Sequence, residues 1–81
     1  MITVIARPAC SACRATLRWL LRRDVTPRIL DAGEPEAQDL RGSFTTVPIV
    51  VVTGHDGSVI ERWSGFRPDR LDQAVTEGVA A

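Results

Sequence analysis

Cys10 and Cys13 stand two residues apart, where a strand-like pattern gives way to a helical one. Ile2-Thr3-Val4-Ile5 is a short apolar run rich in β-branched residues and reads as a buried strand. Arg7-Pro8-Ala9 breaks it. From Ser11 to about Arg23 the pattern is helical: Cys13, Leu17, Leu20 and Leu21 share one face, and Arg14, Arg18 and Arg22 form an i, i+4, i+8 stripe. Such a stripe could hold phosphate, but its ordinary role is the solvated side of an amphipathic helix. Trp19 points away from the leucine face, either to pack on a neighbouring helix or to lie partly exposed.

The rest of the chain continues the alternation. Thr26 to Leu30 reads as a second strand, with Pro27 suited to a sheet edge because it has no N–H for a ladder. Asp31-Ala32-Gly33 is a turn. Glu34 to about Arg41 is a short helix with Pro35 and Glu36 in its first turn and Gly42 at its end. Pro48 opens the apolar strand Ile49-Val50-Val51-Val52. Thr53 to Gly57 is a hairpin loop, Ser58 to Arg62 the returning strand, and Trp63-Ser64-Gly65-Phe66 a connection. Pro68 to about Glu77 is a last helix, ended by Gly78, with Val79-Ala80-Ala81 fraying. The order βαβαββα predicts an α/β chain. Strands joined by a helical crossover are parallel, the closing hairpin is antiparallel, and the four-stranded mixed sheet has three helices flanking it. Residues 1–81 are expected to form a single domain, since this length gives one small core.

Composition narrows the function. Hydrophobic residues make up 44% and charged residues 25%, an ordinary globular balance. Ten basic residues oppose ten acidic ones, which gives no general pull toward nucleic acid or anionic lipid. Every basic residue is Arg, so chemistry through a lysine Schiff base is excluded. The longest apolar run, Ile49 to Val52, is too short to cross a bilayer. No leader pattern precedes the first strand, and a cytoplasmic location is the expectation.

Cysteine spacing narrows it further. A disulfide stabilises most when it closes a long loop, and a bridge across two residues closes almost nothing. The Cys10-Ser11-Ala12-Cys13 tetrad therefore suits redox chemistry better than structural stapling. Cys10 falls at a helix start, where unpaired N–H groups and the helix dipole favour a negative sulfur. Arg7 and Arg14 are close in sequence and could add positive potential. Cys13 lies one turn on, within disulfide reach of about 5 to 6 Å between Cα atoms. It begins the leucine face and is expected to be the more buried sulfur. These positions predict Cys10 as the attacking nucleophile and Cys13 as the resolving thiol. A closed zinc site needs four ligands, and two cysteines with one distant histidine do not supply them. His55 reads as a solvated turn residue rather than a catalytic base.

Cys10-x-x-Cys13 at a helix start, followed by Thr46-Val47-Pro48 before a strand, resembles a glutaredoxin-like member of the thioredoxin superfamily. The run Trp63-Ser64-Gly65-Phe66-Arg67-Pro68-Asp69 resembles the narrower signature of NrdH-type redoxins. The resemblance spans Ile2 through the final helix and implies the thioredoxin fold. It implies a substrate-binding segment Thr46-Val47-Pro48, with a cis bond before Pro48 and a Val47 backbone that pairs with an extended substrate segment. It also places Trp63, Ser64, Gly65 and Phe66 in the surface beside the cysteines, although on composition alone Trp63 and Phe66 are better read as core aromatics. The loop here is Ile5-Ala6-Arg7-Pro8 and the central dipeptide Ser11-Ala12, where the family often has Tyr-Thr-Lys-Pro and Val-Gln.

The resemblance further implies a thiol–disulfide oxidoreductase with no bound cofactor beyond its redox-active Cys10–Cys13 disulfide. Its electrons would come from NADPH through thioredoxin reductase and pass to a class Ib ribonucleotide reductase. Monomeric behaviour is expected. Two alternatives stand beside this reading. One is a glutathione-dependent glutaredoxin, against which Ser64-Gly65-Phe66-Arg67 lacks the glycine pair and acidic contact of that group. The other is a module in which two chains share an iron–sulfur cluster or metal through their cysteines.

Overall fold

The β-branched run at the N-terminus becomes the interior of a sheet. In the computed structural model, which describes residues 1–76, Ile2–Ala6 forms β1, followed by α1 (Ser11–Leu21) and β2 (Arg28–Asp31). Then come α2 (Pro35–Leu40), β3 (Ile49–Thr53), β4 (Val59–Ser64) and α3 (Pro68–Thr76). The sheet order is β2-β1-β3-β4. β1 and β2 run parallel, while β1–β3 and β3–β4 are antiparallel. This is the thioredoxin fold with the expected element order. The expected ends Gly78 and Val79-Ala80-Ala81 lie outside the described residues.

Alternation along the central strands separates two cores. Ile2 and Val4 face one side with Val50, Val52 and Trp63, covered by Leu20 of α1 and by Leu71 and Ala74 of α3. Ile5, Ile49 and Val51 face the other, with Leu30, under Ala37 of α2. Both faces of β1 and β3 are therefore buried, which is why their sequences read as continuous apolar runs.

Several boundaries differ from the sequence reading. β2 starts at Arg28, after the buried Pro27, because its ladder with β1 begins at the Thr3–Arg28 pair. β4 runs on through Trp63 and Ser64, which pair with Val50 and Ile49 and so belong to the sheet rather than to a connection. Leu21 is 56% exposed, and the buried face of α1 is Cys13, Thr16 and Leu20. Thr16 is tolerated there because its hydroxyl donates to the Ala12 carbonyl at 2.9 Å. Trp19 is half-buried against the first core, under the Arg23 guanidinium at 3.5 Å from the ring centroid.

α1 ends two residues earlier than its pattern suggests. The Leu20 carbonyl accepts from both Arg23 and Val25, and Asp24 adopts a left-handed conformation with φ +59°. That turn is ordinarily made by glycine. Asp24 carries the cost of a Cβ at positive φ and a negative charge at the negative end of the helix dipole. Asp24→Gly is expected to stabilise the fold by about 1 kcal/mol, or roughly 5 °C in Tm for a domain of this size. A thermal melt checks it, and an unchanged or lower Tm refutes this account of the turn.

The carboxyls of Glu36, Asp56 and Asp69 are all held below their ordinary values, by Arg28, by the Ser58 hydroxyl and by Arg67 respectively. A depressed folded value makes the stabilisation fully present above the ordinary carboxyl range and sheds it as pH falls through the depressed values. Tm is expected to be level between neutral pH and about pH 5 and to decline below about pH 4. All three groups are exposed, so added salt should flatten this decline in a pH-resolved melt. A decline insensitive to salt would refute the ion-pair contribution.

Candidate active site

One end of the sheet gathers the chemistry. The register aligns Ile5 with Ile49 and Ile49 with Ser64, so three segments meet there: the loop after β1, the segment before β3 and the end of β4. The loop after β1 carries the cysteines. Ala9 turns through a left-handed φ of +59° and delivers Cys10 as the N-cap residue of α1. The Cys10 carbonyl accepts from Arg14 at 3.1 Å, and its Sγ accepts from the Cys13 amide at 3.1 Å. A helix N-terminus leaves amides without intrahelical partners, and here one of them is aimed at a sulfur. The same amide and the helix dipole favour negative charge on that sulfur when the pair is reduced.

Cys10 and Cys13 are joined in a disulfide with Cα atoms 5.2 Å apart. Cys10 is partly exposed, and Cys13 retains 3% exposure beneath it. The sulfurs are thus unequal in access. Arg7 lies exposed at the start of the loop.

The segment before β3 is Thr46-Val47-Pro48, and the Val47–Pro48 bond is cis. Pro48 is buried, Val47 half-buried and Thr46 exposed. β4 holds this segment in place. The Ser64 hydroxyl donates to the Thr46 carbonyl, and the Gly65 amide donates to the Pro48 carbonyl at 2.8 Å. Gly65 does so at φ +90°, a conformation that side chains disfavour, which accounts for glycine there. Ser64 and Gly65 therefore shape the site through backbone contacts. Sequence marked them only as part of a run, because the partner carbonyls lie 17 to 18 residues earlier.

Trp63 and Phe66 separate. Trp63, expected among the surface residues beside the cysteines, is 2% exposed inside the α1/α3 core and offers no side-chain surface to a substrate. The alternation of β4 turns it toward Val50 and Val52. Among the described residues its indole N–H has no hydrogen-bond partner, and the Arg70 guanidinium lies 5.8 Å from its ring centroid. Phe66, beyond the strand, is exposed and lines a groove with Ala15, Arg18, Trp19 and Arg22 of α1. His55 sits in the β3–β4 loop, at the end of the sheet away from the cysteines, and is exposed. Among the described residues, no group of three or more His, Cys, Asp or Glu side chains is placed to hold a metal ion. Also among them, no helix is long and apolar enough to cross a membrane.

Comparison with known proteins agrees with this geometry. No protein-family model matches the chain. The glutaredoxin-like protein NrdH-redoxin from Escherichia coli, whose activity profile is thioredoxin-like, is 32% identical. It superposes with a TM-score of 0.71 over 89% of this chain and 91% of its own. The thioredoxin-like protein YosR of the SPbeta prophage in Bacillus subtilis strain 168 is 22% identical over 73 residues, 90% of this chain and 91% of its own. Mitochondrial thioredoxin 3 from Saccharomyces cerevisiae shares the fold, with a TM-score of 0.71 at 21% identity over 94% of this chain and 76% of its own. A disulfide-bonded Cys-x-x-Cys pair at a helix N-terminus, on this fold and at this level of identity, makes the chain a thiol–disulfide oxidoreductase that belongs to the NrdH-redoxin family of glutaredoxin-like proteins.

Proposed function

We propose that the protein is an electron carrier, reduced by thioredoxin reductase at the expense of NADPH and oxidised by a protein disulfide, with a class Ib ribonucleotide reductase as its target. The carrying observation is the unequal sulfur pair at the α1 N-terminus: Cys10 partly exposed and facing an amide donor, Cys13 buried. In the reduced protein the Cys10 thiolate attacks one sulfur of the target disulfide. A Cys10–target bond forms, and the other target sulfur leaves as a thiolate that takes up a proton. Cys13, as its thiolate, then attacks the Cys10 sulfur. The Cys10–Cys13 bond forms and the second target thiol departs. Two electrons and two protons pass to the target, and the reductase returns them. The backbone of Val47, in the segment before β3 at the same end of the sheet, would pair with an extended target segment that adds as a strand. Arg7 contributes positive potential at the loop. The carrier works as a monomer in the cytoplasm without a bound cofactor.

What favours thioredoxin reductase over glutathione is the start of α3. Arg67 is exposed there and lies 3.0 Å from Asp69, the carboxylate of that first turn. The run Ser64-Gly65-Phe66-Arg67 before it puts this guanidinium where a glutathione site would have its glycine pair and acidic contact. The test couples reduction of a protein disulfide to NADPH oxidation, once with thioredoxin reductase and once with glutathione and glutathione reductase. Turnover with thioredoxin reductase alone is expected. Turnover with glutathione alone would make the protein a glutaredoxin, and silence in both would return weight to a cluster or metal shared between two chains.

A further inference from the structure

Charge in this neutral chain is segregated. No acidic residue precedes Asp24, while five arginines do: Arg7, Arg14, Arg18, Arg22 and Arg23. Residues 24–81 hold the other five arginines and all ten acidic residues. Arg14, Arg18 and Arg22 are exposed along α1 and its end, and the side-chain ion pairs among the described residues lie elsewhere, at Arg28–Glu36, Arg67–Asp69 and Arg70–Glu61. Arg18 and Arg22 border the groove that also holds Ala15, Trp19 and Phe66, with a volume of about 330 Å³.

The groove lies along α1, the helix that begins at the cysteine pair. Ala15, Arg18, Trp19 and Arg22 share one helical flank with Ser11 and Ala12, the two residues between the cysteines. From Ser11 to Arg22 that flank runs about 16 Å, the length of roughly five extended residues. We propose that it docks an acidic segment flanking the disulfide of a protein target. The carboxylates would meet Arg18 and Arg22, and an apolar side chain would sit against Trp19 and Phe66. The inference rests on the redox reading above and names what its target must carry. Charge complementarity favours an acidic occupant. Guanidinia one helical turn apart suit carboxylates spaced along a chain better than a single compact phosphate. The two aromatics suit a peptide rather than an inorganic anion.

The test uses the pre-reduced full chain and three peptides with the same disulfide, flanked by acidic, neutral or arginine residues. Each reduction rate is measured at low and high salt. The acidic peptide is expected to react about tenfold faster than the neutral one at low salt, with the gap closing at high salt. The Arg18→Glu/Arg22→Glu variant should invert the order, so that the arginine peptide reacts fastest. Arg18→Gln/Arg22→Gln should abolish the preference, which guards against a folding defect in the charge reversal. Equal rates for all three peptides would overturn the proposal while leaving the redox reading intact. So would an unchanged order in the variants, which would place the attraction elsewhere. Equal rates together with a duplex-DNA mobility shift lost in the variants would assign the stripe to a phosphate backbone and also overturn it. No reduction of any peptide would instead strike the redox reading itself.

Discussion

Cys13→Ser protein, mixed with a disulfide-bearing target, is expected to accumulate a covalent adduct through Cys10, whereas Cys10→Ser protein forms none and loses turnover. The asymmetry follows from position. Cys10 is the N-cap residue of α1, partly exposed, with the Cys13 amide 3.1 Å from its sulfur. Cys13 is 3% exposed and reaches no external disulfide without local opening. A hydroxyl in place of Cys10 removes the nucleophile, and losses of about 10⁴-fold or more are the usual scale for that change. A hydroxyl in place of Cys13 leaves the first attack intact and removes only the second, so the reaction halts at the mixed disulfide. Mass spectrometry of the non-reduced mixture reads the adduct, and alkylation at graded pH reads the Cys10 thiolate in the trapping variant. Adducts of equal yield from both variants would sink the division of roles.

Trp63→Ala is expected to strip the chain of a large share of its folding stability. The indole is 2% exposed and packs with Val50, Val52, Leu20 and Leu71 between the sheet and α1/α3. Truncating a buried Trp typically costs about 3 to 5 kcal/mol. A domain of this length holds about 4 to 12 kcal/mol in all. Trp63→Phe should cost far less, about 1 to 2 kcal/mol, because it keeps most of the ring and removes an indole N–H that has no partner among the described residues. Chemical denaturation of the two variants separates this core role from a substrate-contact role. A Trp63→Ala protein of normal stability and impaired target reduction would overturn the placement of Trp63 in the core.

Much of the site is legible in the amino-acid sequence because its signals are local. A Cys-x-x-Cys pair at a strand-to-helix junction brings its sulfurs together through helical spacing alone, and the amide that faces Cys10 belongs to the same turn. The Val-Pro step before an apolar strand and the glycine after Ser64 are also local marks. What was not legible depends on partners distant in sequence. The sequence pattern ends β4 at Arg62 because Trp63 and Ser64 look like a turn, and only pairing with Val50 and Ile49 makes them strand. The early stop of α1 escaped because Asp24, not glycine, makes the left-handed turn.

The amino-acid sequence by itself determined the element order, the redox pair and the chemistry that pair can perform, since each rests on spacing and on side chains within one turn or one strand. Tertiary structure alone decided where the two aromatics of the Trp63–Phe66 run go. Strand pairing turns Trp63 inward and buries it against helices from both ends of the chain. Phe66, past the strand end, is left beside Arg18 and Trp19 of a helix more than forty residues earlier. Side-chain direction alternates along a strand, so its assignment to core or groove waits on which strand it pairs with and in what register.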